Sequence, residues 1–174
     1  MEYNFDKIID RSGSGDLKHG ALLPRWGRED LLPLWVADMD FETPSFITDA
    51  LKARLEHSLF GYTVEPEDFM PSVIDWIHDH HQWDVKREWI KFIPGIVKGI
   101  GLVVNVFTNP DEKVIIQPPV YHPFRLTPEG NGREVVFNPL KMRDDGYYDM
   151  DFENLEKVCD EKCKVFILCN PHNP

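Results

Sequence analysis

Lys113 to Phe124 reads KVIIQPPVYHPF, four residues of strand-forming character that run straight into a polar, proline-stiffened exit. The apolar run Val114–Ile116 is continuous rather than alternating, as a strand buried on both faces requires. Pro118 and Pro119 hold the chain extended as it leaves and fix where Tyr121 projects. An aromatic ring held at the carboxyl end of a strand is placed to stack on a flat ligand ring, although a core tyrosine reads the same way.

The pattern recurs. KVFIL, Lys164 to Leu168, feeds the turn CNPHNP, Cys169 to Pro174, in which Pro174 restrains Asn173 and aims a neutral amide. A third strand is expected in LTPEGNGREVVFNPL, Leu126 to Leu140, read as turn then strand. DFENLEKVCDEK (Asp151–Lys162) has helical periodicity, and IVKGIGLVVNVFT (Ile96–Thr108) reads as a buried helix despite its β-branched residues. EWIKFIPG (Glu88–Gly95) is expected to be a short strand ending in a turn. Upstream, Ser45 is expected to cap a helix whose Phe46, Ile47, Ala50, Leu51 and Leu55 share one face. A second helix is expected over Glu67–Gln82, with Pro71 tolerated only in its first turn. Strands alternating with helices, each strand nearly all apolar, predict an α/β fold with a mainly parallel sheet and helices on both faces. Ligands of such sheets sit at the carboxyl ends of the strands.

Composition agrees with a folded domain: 174 residues, 42% hydrophobic and 12% aromatic. A net charge of −11 argues against a nucleic-acid partner, which would require a basic surface. No apolar stretch is long enough for a membrane span, and the N-terminal residues lack a secretory h-region. The three cysteines, Cys159, Cys163 and Cys169, lack the spacing of a zinc site or disulfide framework, and a reduced, cytoplasmic protein is expected.

Several features bear on chemistry. In FIPGIVKGIG (Phe92–Gly101), Gly95 is expected to follow a strand and open an apolar helix, so the first backbone amides are free to face an anion; a plain strand-to-helix turn is the alternative. The run matches neither a Walker loop nor a dinucleotide-binding turn. Lys98 would assist a phosphate or lie in solvent. Asp38 and Asp40, in LWVADMDFETP (Leu34–Pro44), form a carboxylate pair suited to acid–base work, to a metal or to organising a turn. His78 and His81 lie three apart on a helix, without evident further ligands for zinc. No metal site is expected.

Taken together in this order, LPLWVADMDF, FGYT, PGIVKGI, PPVYHPF and NPHNP resemble the N-terminal portion of fold-type I pyridoxal-phosphate enzymes, the aspartate aminotransferase superfamily. Within it they look like the cystathionine β-lyase-like C–S lyases, from about Leu32 to the last residue. The resemblance implies pyridoxal 5′-phosphate as cofactor and an amino-acid substrate. Gly95, Ile96 and Val97 would hold the phosphate through backbone amides, Tyr121 would stack on the pyridine ring, and Asn173 would donate to its phenolic oxygen. Tyr62 would reach the phosphate bound by the neighbouring subunit of a homodimer, and the backbone at Ala37 would approach the substrate carboxylate. Lys98 departs from the small or apolar residue usual after this turn.

The resemblance also implies groups that lie beyond Pro174: an Asp for the pyridine nitrogen, the Schiff-base lysine and an Arg for the substrate carboxylate. No catalytic residue is therefore assigned here, and the expectation is an N-terminal portion whose sheet is incomplete at the C-terminus and which is inactive alone. Residues 1–45 are expected to form an arm and part of a small domain, and 46–174 the first part of the cofactor-binding domain. The implied reaction is β-elimination from cystathionine or related cysteine S-conjugates, giving pyruvate, ammonia and a thiol. Amino-group transfer is the alternative, and a non-catalytic regulatory role is a second.

Overall fold

The computed structural model describes residues 3–174, which divide into two compact units between Glu65 and Pro66. The first is mostly irregular, as its glycines and prolines dictate. Helix α1 (Leu17–Gly20) is capped by Asp16, whose carboxylate accepts the His19 amide at 2.9 Å. Helix α2 (Leu22–Trp26) ends at Gly27, whose φ of 69° supplies the left-handed residue that commonly closes a helix. Helix α3 (Ser45–Glu56) follows the expected periodicity, but Ser45 is its first residue and the cap is Pro44. Proline presets the entry without contributing a side-chain acceptor. The apolar face of α3 is open: Phe46, Leu51 and Leu55 are all exposed.

The second unit begins with α4 (Phe69–His81). Pro71 occupies its third position, where no intrahelical donor is needed. Its exit through Gln82 is left-handed, at φ 53°. The strand expected over Glu88–Gly95 does not form. Arg87–Trp89 make one 3-10 turn, and the chain beyond is extended at Ile90 without joining a sheet. An extended backbone becomes a strand only when a neighbour supplies the ladder, and this one has none among the described residues.

Helix α5 (Ile96–Phe107) leads to β1 (Lys113–Ile116), α6 (Pro123–Gly130), β2 (Glu134–Phe137), a small antiparallel pair β3 (Lys141–Met142) and β4 (Tyr148–Asp149), α7 (Phe152–Val158) and β5 (Cys163–Phe166). The sheet runs β2-β1-β5, all parallel, with Val114 opposite both Val135 and Val165. Helix α6 replaces the turn expected around Leu126–Gly130. Pro123 at its first position begins it, and Pro128 lies two residues from its end, so neither proline breaks it midway. The β3–β4 pair was not foreseen, since two-residue strands carry no readable period.

The core sits where α5 crosses the sheet. Val104, Val114 and Ile116 are fully buried, with Ile100, Phe124, Val135 and Val165 packed around them. Burial of each such side chain contributes about 1.5–3 kcal/mol. Ile115, which points to the other face, is also buried, as a central parallel strand requires. Because the strands are parallel, all three exits open on one edge. That edge carries the proline-rich loops.

Candidate functional site

The loop after β1 is anchored by a buried amide pair. Gln117 Nε2 donates to Asn138 Oδ1 at 2.8 Å, while Asn138 Nδ2 donates to the Asp151 carbonyl at 2.9 Å and to Asn154 Oδ1 at 3.0 Å. Asn138 is wholly buried, and its own amide reaches the Ile116 carbonyl at 2.9 Å. One side chain thus ties the exits of β1 and β2 to the start of α7. From this anchor Pro118 and Pro119 lead to Tyr121, whose carbonyl accepts the Phe124 amide at 2.9 Å and so begins α6.

The loop after β5 closes onto the same place. The Tyr121 amide donates to the Asn173 carbonyl at 2.7 Å, and His172 Nε2 donates to the Pro119 carbonyl at 2.6 Å. A carbonyl can only accept, so this bond places the proton on Nε2. Within the turn, the Asn173 amide points to Cys169 Sγ at 3.3 Å. The ring of Tyr121 is partly exposed, and the Asn173 carboxamide takes no part in these bonds.

Helix α5 opens with Gly95 at φ 101° and ψ 135°, a conformation that side-chain-bearing residues rarely adopt. No side chain caps this end, and the first helical bond is from Gly99 to the Gly95 carbonyl at 3.1 Å. The amides of Ile96 and Val97 therefore have no helical acceptor, and the positive end of the helix dipole lies there. Ile96 and Leu168 line one apolar groove, which sets the start of α5 beside the exit of β5. Uncapped amides and a glycine cap fit a phosphate group. An accessible ring and an uncommitted carboxamide on the same edge of the sheet fit a flat heteroaromatic body.

Ala37 and Tyr62 belong to the first unit, where both are exposed and lie outside helix and strand. Around Ala37, Asp38 and Asp40 meet two cations. Arg11 Nη2 reaches Asp38 Oδ2 at 2.9 Å, and Lys18 Nζ reaches Asp40 Oδ2 at 2.8 Å. Arg11 holds the Asp38 carboxyl below its ordinary range, and Lys18 does the same for Asp40. In return, Asp40 raises the Lys18 ammonium, which stays charged. The acidic pair thus answers a basic pair. His78 bonds Asp84 at 2.8 Å and His80 stacks on Trp76, with ring centroids 3.7 Å apart. Among the described residues, no group of three or more His, Cys, Asp or Glu is arranged to hold a metal, and no helix is long and apolar enough to cross a membrane.

The family model for aminotransferase class I and II matches residues 29–174. The chain belongs to this family. Among individual aminotransferase-family relatives, cystathionine beta-lyase PatB of Bacillus subtilis is 46% identical over 172 residues, an alignment covering 98% of this chain and 44% of PatB. Cystalysin from Treponema denticola, whose structure contains pyridoxal 5′-phosphate, superposes with a TM-score of 0.91 at 36% identity, over 100% of this chain and 45% of that one. The PLP-bound C–S lyase from Staphylococcus hominis does so at 0.88 and 34%, over 100% and 44%. The fold is therefore that of fold-type I pyridoxal-phosphate enzymes, and the chain spans less than half the length of these relatives.

Sequence reading did not find the residues that hold the loops. Asn138 has a weak signal, an Asn-Pro pair directly after a strand, as at Asn173. Lys18 and Arg11 lie in an arm without periodicity, and nothing local links them to Asp38 and Asp40.

Proposed function

We infer that this chain is the cofactor-facing N-terminal part of a pyridoxal-phosphate-dependent C–S β-lyase that acts on cystathionine or related cysteine S-conjugates. The observation that carries this reading is the 2.7 Å bond from the Tyr121 amide to the Asn173 carbonyl, which gathers two strand-exit loops on the edge where ligands of parallel sheets bind. The similarity to cystathionine beta-lyase PatB and to the C–S lyase from Staphylococcus hominis supports the lyase over the aminotransferase chemistry.

The amides of Ile96 and Val97, with Gly95 allowing close approach, would bind the phosphate. The ring of Tyr121 would cover one face of the pyridine, and the Asn173 carboxamide would donate to its phenolic oxygen. Tyr62 would serve the site of a second copy in a homodimer, and the main chain at Ala37 would meet the substrate carboxylate. Residues 1–45 would act as an arm with part of a small domain, and 46–174 as the first part of the cofactor domain. When bound, pyridoxal phosphate supplies an electron sink that stabilises the charge left when the substrate α-proton is removed. No lysine of this chain is assigned the covalent role. Lys18, the buried one, is held as an ammonium by two carboxylates and offers no free amine.

The test is turnover of cystathionine by the whole protein that contains this chain, with pyruvate and thiol followed together. Stoichiometric release of both, independent of an added keto acid, is expected. Turnover that requires 2-oxoglutarate and releases no thiol would replace the lyase with an aminotransferase. A protein that binds no pyridoxal phosphate would leave only a regulatory role.

A further inference from the structure

The segment Trp35 to Asp40 has neither helix nor strand to hold it, yet it is gripped on both sides of Ala37 by one residue. Two residues before Ala37, Trp35 Nε1 donates to the Lys18 carbonyl at 3.1 Å. After Ala37, Lys18 Nζ donates to the Asp38 carbonyl at 3.1 Å and to Asp40 Oδ2 at 2.8 Å. Lys18 itself is only 6% exposed, so its end of these bonds is sheltered although the Asp40 carboxylate is exposed. Arg11 adds a fork, with Nη1 and Nη2 on the two oxygens of Asp38 at 3.2 and 2.9 Å and Nη1 also 3.2 Å from Asp40 Oδ1. Its Nη2 further lies 3.2 Å from Asp16, the residue that caps α1, so Lys18's own helix is tied into the cluster.

The bond to the Asp38 carbonyl gives this cluster its meaning. An ion pair on a surface fixes side chains loosely and contributes little. An ammonium bonded to a main-chain carbonyl fixes backbone, here the Asp38–Met39 peptide, one residue beyond Ala37. We propose that Lys18, supported by Arg11, is a positioning residue that sets the main chain at Ala37 for recognition of the substrate carboxylate. The inference rests on the assignment of Ala37 to that carboxylate made above. Lys18 would touch neither substrate nor cofactor. Its effect is on where a neutral amide donor points, and a donor displaced by an ångström loses most of its hydrogen bond.

Two variants test this in the whole protein. Lys18→Met keeps the stem and the carbonyl that receives Trp35 but removes the ammonium. Asp40→Asn removes one partner at an exposed carboxylate, where misfolding is not at stake, and carries the test if Lys18→Met fails to fold. Backbone hydrogen exchange over residues 36–41 should accelerate in both, by on the order of tenfold for Lys18→Met. KM for the amino-acid substrate should rise by on the order of tenfold, with kcat held within about twofold and cofactor affinity unchanged. Unchanged exchange would refute the clamp. Faster exchange with an unchanged KM, or a fall in kcat with KM unmoved, would refute the positioning role. If the unaltered protein turns over no amino acid, the proposed function fails at that step and takes this role with it, while the exchange data still report whether Lys18 holds the segment.

Discussion

Asn138 offers the most direct test of how the candidate site is built. Its carboxamide is wholly buried and makes three hydrogen bonds, to Gln117, to the Asp151 carbonyl and to Asn154. Asn138→Leu keeps the branched skeleton and the number of side-chain heavy atoms, so it opens no cavity and the lost hydrogen bonds dominate the change. It strands the Gln117 Nε2 donor, in a residue only 3% exposed, whereas the Asp151 carbonyl keeps the Leu155 amide at 2.9 Å. A buried donor left unpaired costs about 1–3 kcal/mol, so a loss of about 2 kcal/mol is expected, or a Tm lower by about 6 °C. Equilibrium urea unfolding should show the midpoint falling at constant m-value. Replacing Gln117 as well, by Leu, removes the stranded donor, and the double variant should recover about 1–2 kcal/mol relative to the sum of the singles. Strict additivity, or a loss below about 1 kcal/mol for Asn138→Leu, would refute the claim that this amide anchors the strand exits.

Gly95→Ala introduces no clash, since nothing lies within 4 Å of the added methyl, but its φ of 101° is strained for any side chain. A stability loss of about 1–2 kcal/mol and weaker binding of pyridoxal phosphate are expected, read by unfolding and by absorbance titration. Asn173→Ala should leave stability within about 0.5 kcal/mol, because the residue is exposed, while lowering cofactor affinity in the same titration. Val104→Ala, at a fully buried position over the sheet, should cost about 2 kcal/mol in urea unfolding. Acid should loosen the first unit. Asp16 is held at about 2, chiefly by the His19 amide, and Asp38 and Asp40 are lowered by Arg11 and Lys18. Folded-state values below the unfolded value of about 3.9 mean that the unfolded chain binds protons first. The stabilisation is therefore complete above that value and is lost as pH falls towards about 2. Hydrogen exchange of residues 16–40 should rise over that window before that of the β1 amides, and equal rates would count against the assignment.

The sequence by itself determined the elements whose cause is local. Val114–Ile116 could only be a buried strand, the apolar spacing in Ser45–Glu56 and Phe69–His81 could only be helical, and the prolines after β1 and β5 fixed where the loops leave the sheet. It also carried the motifs at Gly95, Tyr121 and Asn173, because turn chemistry is written in neighbouring residues. Glycine and proline misled it at α6, where Pro128 and Gly130 read as a turn although they merely close a helix begun by Pro123. It misled again at Ile90–Ile93, since a strand exists only when another strand accepts its hydrogen bonds. What tertiary structure alone decided are the pairings across long separations: Gln117 with Asn138, Tyr121 with Asn173, and Lys18 with Asp38 and Asp40. Hydrogen bonds and ion pairs have no period along a chain. They form where folding leaves a buried donor needing an acceptor, and that need arises only after the chain has closed around it.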